Sequence, residues 1–439
     1  MKILKFGGTS VGTPARMRQV AGLVEGTDDD RVVVLSAVAG TTNALVEIAR
    51  LAAQGSVEAC RKRIEALADS YVTFVDELYE QAAYRKAGHE VRESIFSTLS
   101  DLVDTPFKIV REKEILSIGE IMSTRLFDIL MSELQIPSKW LSALDFMRTA
   151  GGEPDMKFIE ENISPLVANG SSRTFITQGF ICRNEYNEVD NLKRGGSDYT
   201  ASIIGAALNA AEIQIWTDID GIHNNDPRVV ENTRPIQQMS FDEAAEMAYF
   251  GAKVLHPSTV HPAKQKNIPV RLLNTMQPAA KGTLISESSG PKTFKAKAVA
   301  AKDGITAINI RSHRMLMAYG FLRKVFEVFE RYSTPIDMIT TSEVALSVTI
   351  DDDAKLDSIV DELSVFSQVE VDRQQTIVCV VGDFSKDEPG IGISILEGLR
   401  NIPIRMISSG GSESNISILI HQSHKQQALE QLNINLFLQ

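Results

Sequence analysis

Short β-branched runs separated by helical stretches recur from the first residues to about position 285, and this alternation restricts the fold more than any other feature of the chain. Arg31 to Ser36 (RVVVLS), Thr174 to Ile181 (TFITQGFI), Glu212 to Thr217 (EIQIWT) and Ile268 to Leu273 (IPVRLL) read as strands. Helical patterns fall around Asn43 to Ala53, Lys113 to Leu134, Tyr199 to Ala211 and Phe241 to Phe250. Such alternation predicts a mostly parallel sheet sandwiched by helices. Val57 to Leu102 reads as long helices inserted between early strands, as a lid or an interface. Ser286 to Pro291 (SESSGP) then breaks every period and reads as a linker.

Beyond it lies an internal repeat. Ile336 to Thr341 (IDMITT) is echoed by Ile404 to Ser409 (IRMISS), and the strand Ala345 to Ile350 by Asn415 to Ile420. A helix precedes each copy, Phe321 to Tyr332 and Ile391 to Leu399, so two β-α-β-β units of one design are expected.

A chain of 439 residues, 43% hydrophobic, is long enough for more than one core. Its formal net charge of -12 argues against binding nucleic acid or an anionic membrane, so a polyanionic ligand has to meet local positive groups. No apolar run approaches the roughly 18 residues that span a bilayer, and a cytoplasmic protein is expected. Cys60, Cys182 and Cys379 are odd in number and far apart, which suggests buried, reduced thiols rather than disulfides or a zinc site.

Four glycine-marked stations carry the candidate chemistry. In Lys5-Phe6-Gly7-Gly8-Thr9-Ser10 a strand runs into a glycine turn and then a helix, capped by Thr13, begun by Pro14 and continued at helical spacing by Met17, Val20, Ala21 and Val24. That layout suits an anion, because two glycines admit close backbone approach and Lys5 adds a full charge; it is not a P-loop, since the lysine precedes the glycines. The second station is Arg194-Gly195-Gly196-Ser197-Asp198-Tyr199-Thr200, opening a helix, where Asp198 can also serve as a cap. Trp216-Thr217-Asp218-Ile219-Asp220-Gly221, with Asp226-Pro227-Arg228 after it, is a strand end entering a loop, where ligands of open parallel sheets sit. The fourth is Phe250 to Pro257 (FGAKVLHP), with Lys253. Each has a plain reading as a solvated lysine, a cap or a turn. Together they supply Lys5, Arg194, Asp198, Arg228 and Lys253 for one demand, the holding of a polyanion.

KFGGTS, RGGSDYTA, WTDIDGI with DPR, and FGAKVLHP, in that order and followed by two small repeats, resemble the aspartokinases of the amino-acid kinase family over essentially the whole chain. The likeness is greatest to the monofunctional, lysine-sensitive type with tandem ferredoxin-like ACT domains. It implies a catalytic domain over residues 1–290 and a regulatory region over 291–439, with one ACT unit at about 312–370 and another built from 296–311 plus 372–439. It also implies phosphorylation of the β-carboxylate of L-aspartate by ATP with Mg2+. Lys5, Asp198 and Lys253 would be catalytic. Gly7, Gly8, Thr9, Thr217, Asp218, His223, Arg228 and Val254 would join Lys5 and Lys253 around the nucleotide, and no protein-held metal is implied. Thr42, Glu120, Arg194 and Ser197 would bind aspartate, Arg194 taking its α-carboxylate and Glu120 its ammonium. The chain departs from the family at Asp190 to Lys193 (DNLK), where relatives often read TTLG, and at His223, commonly tyrosine.

In the regulatory region the resemblance places an effector, lysine by analogy, against Met315, Ala318, Phe321, Leu322, Asp337, Thr341, Ser342 and Glu343. Relatives often carry Ser-Arg-Gly-Phe where this chain has Ala318-Tyr319-Gly320-Phe321. A homodimer or dimer of dimers through ACT contacts is the expected assembly. Acetylglutamate, glutamate 5- and uridylate kinases share the fold, but an acetylated amine gives Glu120 no task. A non-catalytic amino-acid sensor would not need Lys5, Asp198 and Lys253.

Overall fold

The computed structural model describes residues 1–438 apart from 28, 106, 169–171, 193–194, 251–258, 289, 291–295, 312–318 and 385–389. The chain forms two compact units, the first of Met1–Ile222, Gln237–Phe241 and Leu255–Ser288, the second of His223–Ile236, Asp242–Val254 and Ser289–Gln439.

An eight-stranded sheet organises the first unit. Its order is Gln238–Ser240, Thr283–Ser286, Val270–Asn274, Glu212–Thr217, Lys2–Phe6, Arg31–Leu35, Thr174–Gln178 and Lys139–Trp140. Val270–Asn274 and Thr283–Ser286 pair antiparallel and the other neighbours parallel, so the expected mostly parallel sheet is present. The central strands are largely buried because helices cover both faces, and Arg31–Leu35 is buried at every position, with Arg31 Nε donating to the Thr174 hydroxyl at 2.9 Å. The helix Pro14–Glu25 begins where expected: the Thr13 hydroxyl accepts the Arg16 N–H at 3.3 Å, and Met17, Val20, Ala21 and Val24 are its buried positions.

One reading changes, and the inserted helices are found as expected. The run Thr174 to Ile181 is not one strand; Phe180 takes a left-handed backbone (φ 69°), and Ile181–Arg183 leaves to pair with Val189–Asn191. A continuous apolar run does not encode that bend, which tertiary contacts stabilise: the Phe180 N–H donates to the Thr200 hydroxyl at 2.9 Å. The inserted segment is two helices, Val57–Leu78 and Ala82–Asp104, whose residues Tyr71, Val75, Phe96 and Leu99 enter the same core as Leu45 and Ile48 of helix Thr41–Ala53 and Leu126 of helix Ile109–Glu133.

The second unit contains a six-stranded antiparallel sheet in the order Ile339–Thr341, Ala345–Ile350, Ala296–Arg311, Gln368–Gly382, Asn415–His421, Ile404–Ser409. The two long central strands run through both halves, paired antiparallel from Ala296 opposite Gly382 to Arg311 opposite Gln368, with the register shifting between Ala296 and Ala298 and again between Lys302 and Ala307. Each half has its own core. One holds Val325, Phe329, Val348 and Ile359 under helices Phe321–Arg331 and Leu356–Ser364. The other holds Val378, Ile418, Ile395 and Leu432 under helices Ile391–Gly398 and Lys425–Phe437. The repeat in the sequence is thus a repeat in space. Among the described residues no helix is long and apolar enough to cross a membrane.

Candidate active site

The carboxyl edge of the eight-stranded sheet gathers the first three stations. Register aligns Phe6 with Leu35 on one side and with Trp216 on the other, so Gly7, Ser36 and Thr217 leave the sheet side by side. Lys5 is buried, and its Nζ lies 2.6 Å from Asp198 Oδ1 in the first turn of helix Gly196–Ala207. Two stations more than 190 positions apart therefore meet as an ion pair in a largely water-excluded site, where charge acts more strongly than at the surface.

Glycine is required at two points of this edge. A Cβ on Gly8 would stand 2.9 Å from the Ala37 carbonyl oxygen, and one on Gly196 would stand 2.4 Å from the Phe180 ring. Only a bare backbone lets the first loop lie against the second and the helix start lie against the bent strand. The same closeness brings Gly179 against Ser197, next to Asp198.

Glu120 lies on helix Ile109–Glu133 with 3% of its surface exposed. Its Oε1 accepts the Ala37 N–H at 3.3 Å, while Oε2 is buried without a hydrogen-bond partner among the described residues. Burial pushes its carboxyl up to about 8, against the downward pull of the Ala37 N–H. A buried acid with one oxygen unmet is costly to the fold and ready for a cationic donor. Beside it, the Thr41 hydroxyl lies 2.8 Å from the phenol of the buried Tyr71. The sequence does not single out Tyr71, whose helical spacing reads as ordinary core. Thr42 is exposed in the first turn of helix Thr41–Ala53, and Gly40 at φ 85° precedes it.

The remaining expectations divide. Thr217 donates to Asp218 Oδ1 at 3.1 Å at the strand end. His223 and Arg228 belong to the second unit, where His223 Nδ1 is 2.8 Å from the Thr233 hydroxyl and Arg228 forks onto Asp226 at 2.8 and 2.9 Å. That hydrogen-bonded guanidinium holds the Asp226 carboxyl below the usual range. Arg194, Lys253, Val254, Met315 and Ala318 lie outside the described residues, as does Lys193. Asn191 donates its side-chain amide to the Lys113 carbonyl at 3.4 Å and keeps a buried side-chain oxygen without a partner among the described residues.

A lysine–carboxylate pair at glycine loops on the carboxyl edge of a parallel sheet suits a polyanion, and likeness to known proteins makes that class an amino acid kinase. The amino acid kinase family profile matches residues 1–274, and an ACT domain profile matches residues 378–436. Over 99% of both chains the sequence is 34% identical to the lysine-sensitive aspartokinase 3 of Escherichia coli. The crystal structure of E. coli aspartokinase III in complex with aspartate and ADP superposes with a TM-score of 0.83, covering all of both chains at 34% identity. The same enzyme in complex with lysine and aspartate gives 0.80, covering 100% of this chain and 99% of the other. The chain belongs to the aspartokinases of the amino acid kinase family.

Proposed function

We propose that this protein transfers the γ-phosphoryl group of MgATP to the β-carboxylate of L-aspartate, giving aspartyl phosphate and ADP. The observation that carries the choice of acceptor is the buried, half-satisfied carboxylate of Glu120, which suits a free ammonium and has no use for an acetylated amine. The relative crystallised with aspartate and ADP supports the same reading.

The acceptor carboxylate is ionised at neutral pH, so no general base is needed. The barrier lies in bringing two anions together in line, and catalysis is charge neutralisation and positioning. Lys5 offsets the charge on the transferring group, and Asp198 orients Lys5 and the Mg2+ that arrives with ATP. Gly8 and Thr9 present backbone N–H groups, whereas the Gly7 N–H already donates to the Trp216 carbonyl at 3.2 Å, so Gly7 serves by its bare backbone; Thr217, Asp218, His223, Arg228, Lys253 and Val254 complete the nucleotide contacts. Glu120 takes the ammonium of aspartate, Arg194 its α-carboxylate, and Thr42 and Ser197 the remaining polar atoms. Residues 1–290 form the catalytic domain. The rest is regulatory, one ACT unit at about 312–370 and one from 296–311 with 372–439. Lysine inhibits by binding against Phe321, Leu322, Asp337, Thr341, Ser342 and Glu343, together with Met315 and Ala318, and ACT contacts join two chains.

ADP release coupled to aspartate, glutamate and acetylglutamate in turn tests the activity. Turnover with aspartate is expected, and its absence with pure protein refutes the proposal. Loss of rate at millimolar lysine but not threonine tests the regulation.

A further inference from the structure

The carboxylate expected to hold the effector already holds a cation. Lys302, on the long strand Ala296–Arg311, places Nζ 2.8 Å from Asp337 Oδ1 and 2.8 Å from Asp351 Oδ2. The same Nζ stands 4.4 Å from the centre of the Tyr249 ring, and the Tyr249 hydroxyl donates to Asp337 Oδ1 at 2.7 Å. Two donors thus share one oxygen of Asp337. The other, Oδ2, has no hydrogen-bond partner among the described residues, although the Asp337 side chain is 2% exposed.

The cluster is fixed by its backbone. Asp337 N–H donates to the Thr349 carbonyl at 2.9 Å, which ties Asp337 to the strand that ends just before Asp351. The neighbouring Asp303 is engaged elsewhere, by the Thr376 hydroxyl at 2.8 Å and by Lys425. Burial opposes the charge on Lys302, but the hydrogen-bonded carboxylates of Asp337 and Asp351 outweigh it and hold the ammonium above its usual range. Lys302 is therefore a resident cation, and the group of one lysine and two carboxylates retains a single negative charge.

We propose that Lys302 is a specificity-determining residue of the effector site, a tethered competitor that shares Asp337 with an incoming amino-acid ammonium and sets how much lysine is needed to occupy the site. This rests on Asp337 being part of the effector site. An arriving ammonium has Oδ2 open to it but meets the charge of Lys302 close by, so the native chain binds lysine more weakly than the two carboxylates alone would. The Tyr249 hydroxyl is drawn into the same competition, because it shares Oδ1 with Lys302.

Calorimetric titration of lysine into the full-length protein decides this. Lys302→Met is expected to bind lysine about tenfold more tightly, the factor that about 1.4 kcal/mol makes, with Lys302→Arg near wild type. Asp351→Asn keeps the cation and removes a carboxylate, so it is expected to bind more weakly. If Lys302→Met fails to fold, the direction of the Asp351→Asn shift decides. Equal lysine affinity in wild type and variants, or changes of opposite sign, overturns the role of Lys302 alone. No lysine binding by any of the proteins overturns the effector site and the competitor together.

Discussion

Replacing Glu120 by glutamine should make the protein more stable and worse at binding aspartate, and both effects should depend on pH. Glu120 is held at about 8 in the fold against 4.5 for an unperturbed glutamate, because burial disfavours its charge. A group whose folded value is raised leaves stability intact below the unfolded value and removes it as pH climbs towards the folded one. The native chain therefore loses stability from about pH 4.5 to pH 8, on the order of 5 kcal/mol in full, and glutamine escapes that loss. Melting temperatures should coincide near pH 4.5, diverge in favour of Glu120→Gln up to pH 8, and stay apart at constant distance above it. The variant also lacks the charge that meets an ammonium, worth roughly 1.5–3 kcal/mol, so above pH 8, where Glu120 is ionised, its KM for aspartate should exceed that of the parent roughly 10- to 100-fold. In the native enzyme only about a tenth of Glu120 is ionised at pH 7 and about half at pH 8, so KM for aspartate should fall about fivefold between them. A variant less stable than the parent at pH 8, or one with unchanged KM, refutes the reasoning.

Lys5→Ala and Asp198→Ala should each lower turnover by orders of magnitude while circular dichroism stays native, since they remove charge stabilisation rather than core; near-normal rates would deny them a catalytic part. Gly8→Ala forces a methyl to 2.9 Å from the Ala37 carbonyl, so the loop must move, and ATP affinity should fall with at most a small change in melting temperature. Cys60, Cys182 and Cys379 are buried and burial raises all three thiols, Cys182 up to about 12, so a thiol reagent should find none in the native protein and all three after denaturation. A fast-reacting thiol would contradict that burial.

Much of the sheet was legible because a strand covered on both faces carries a continuous apolar run, as Val32 to Leu35 do, and because turn and cap chemistry is local, as at Thr13 and Pro14. The duplicated unit was legible for the same reason, its helix and strand pattern recurring from Phe321 to Ile350 and from Ile391 to His421. Short edge strands such as Lys139–Trp140 and Gln238–Ser240 carry too few residues to show a period, and the bend at Phe180 depends on a hydroxyl 20 positions away.

Residue types and their order determined by themselves that this chain is an α/β domain with a polyanion site followed by a duplicated antiparallel unit, and which glycine loops hold its charged groups; the resemblance of those motifs to a family added that the α/β domain is a kinase. Only the tertiary structure decided which of those groups act on one another. The contact of Lys5 with Asp198, the unmet oxygen of Glu120 over Ala37, and the hold of Lys302 on Asp337 and Asp351 join distant positions. Their energies depend on separation and burial, which no sequence spacing records: a lysine in the open is solvated, and the same lysine between a buried and an exposed carboxylate is part of a site.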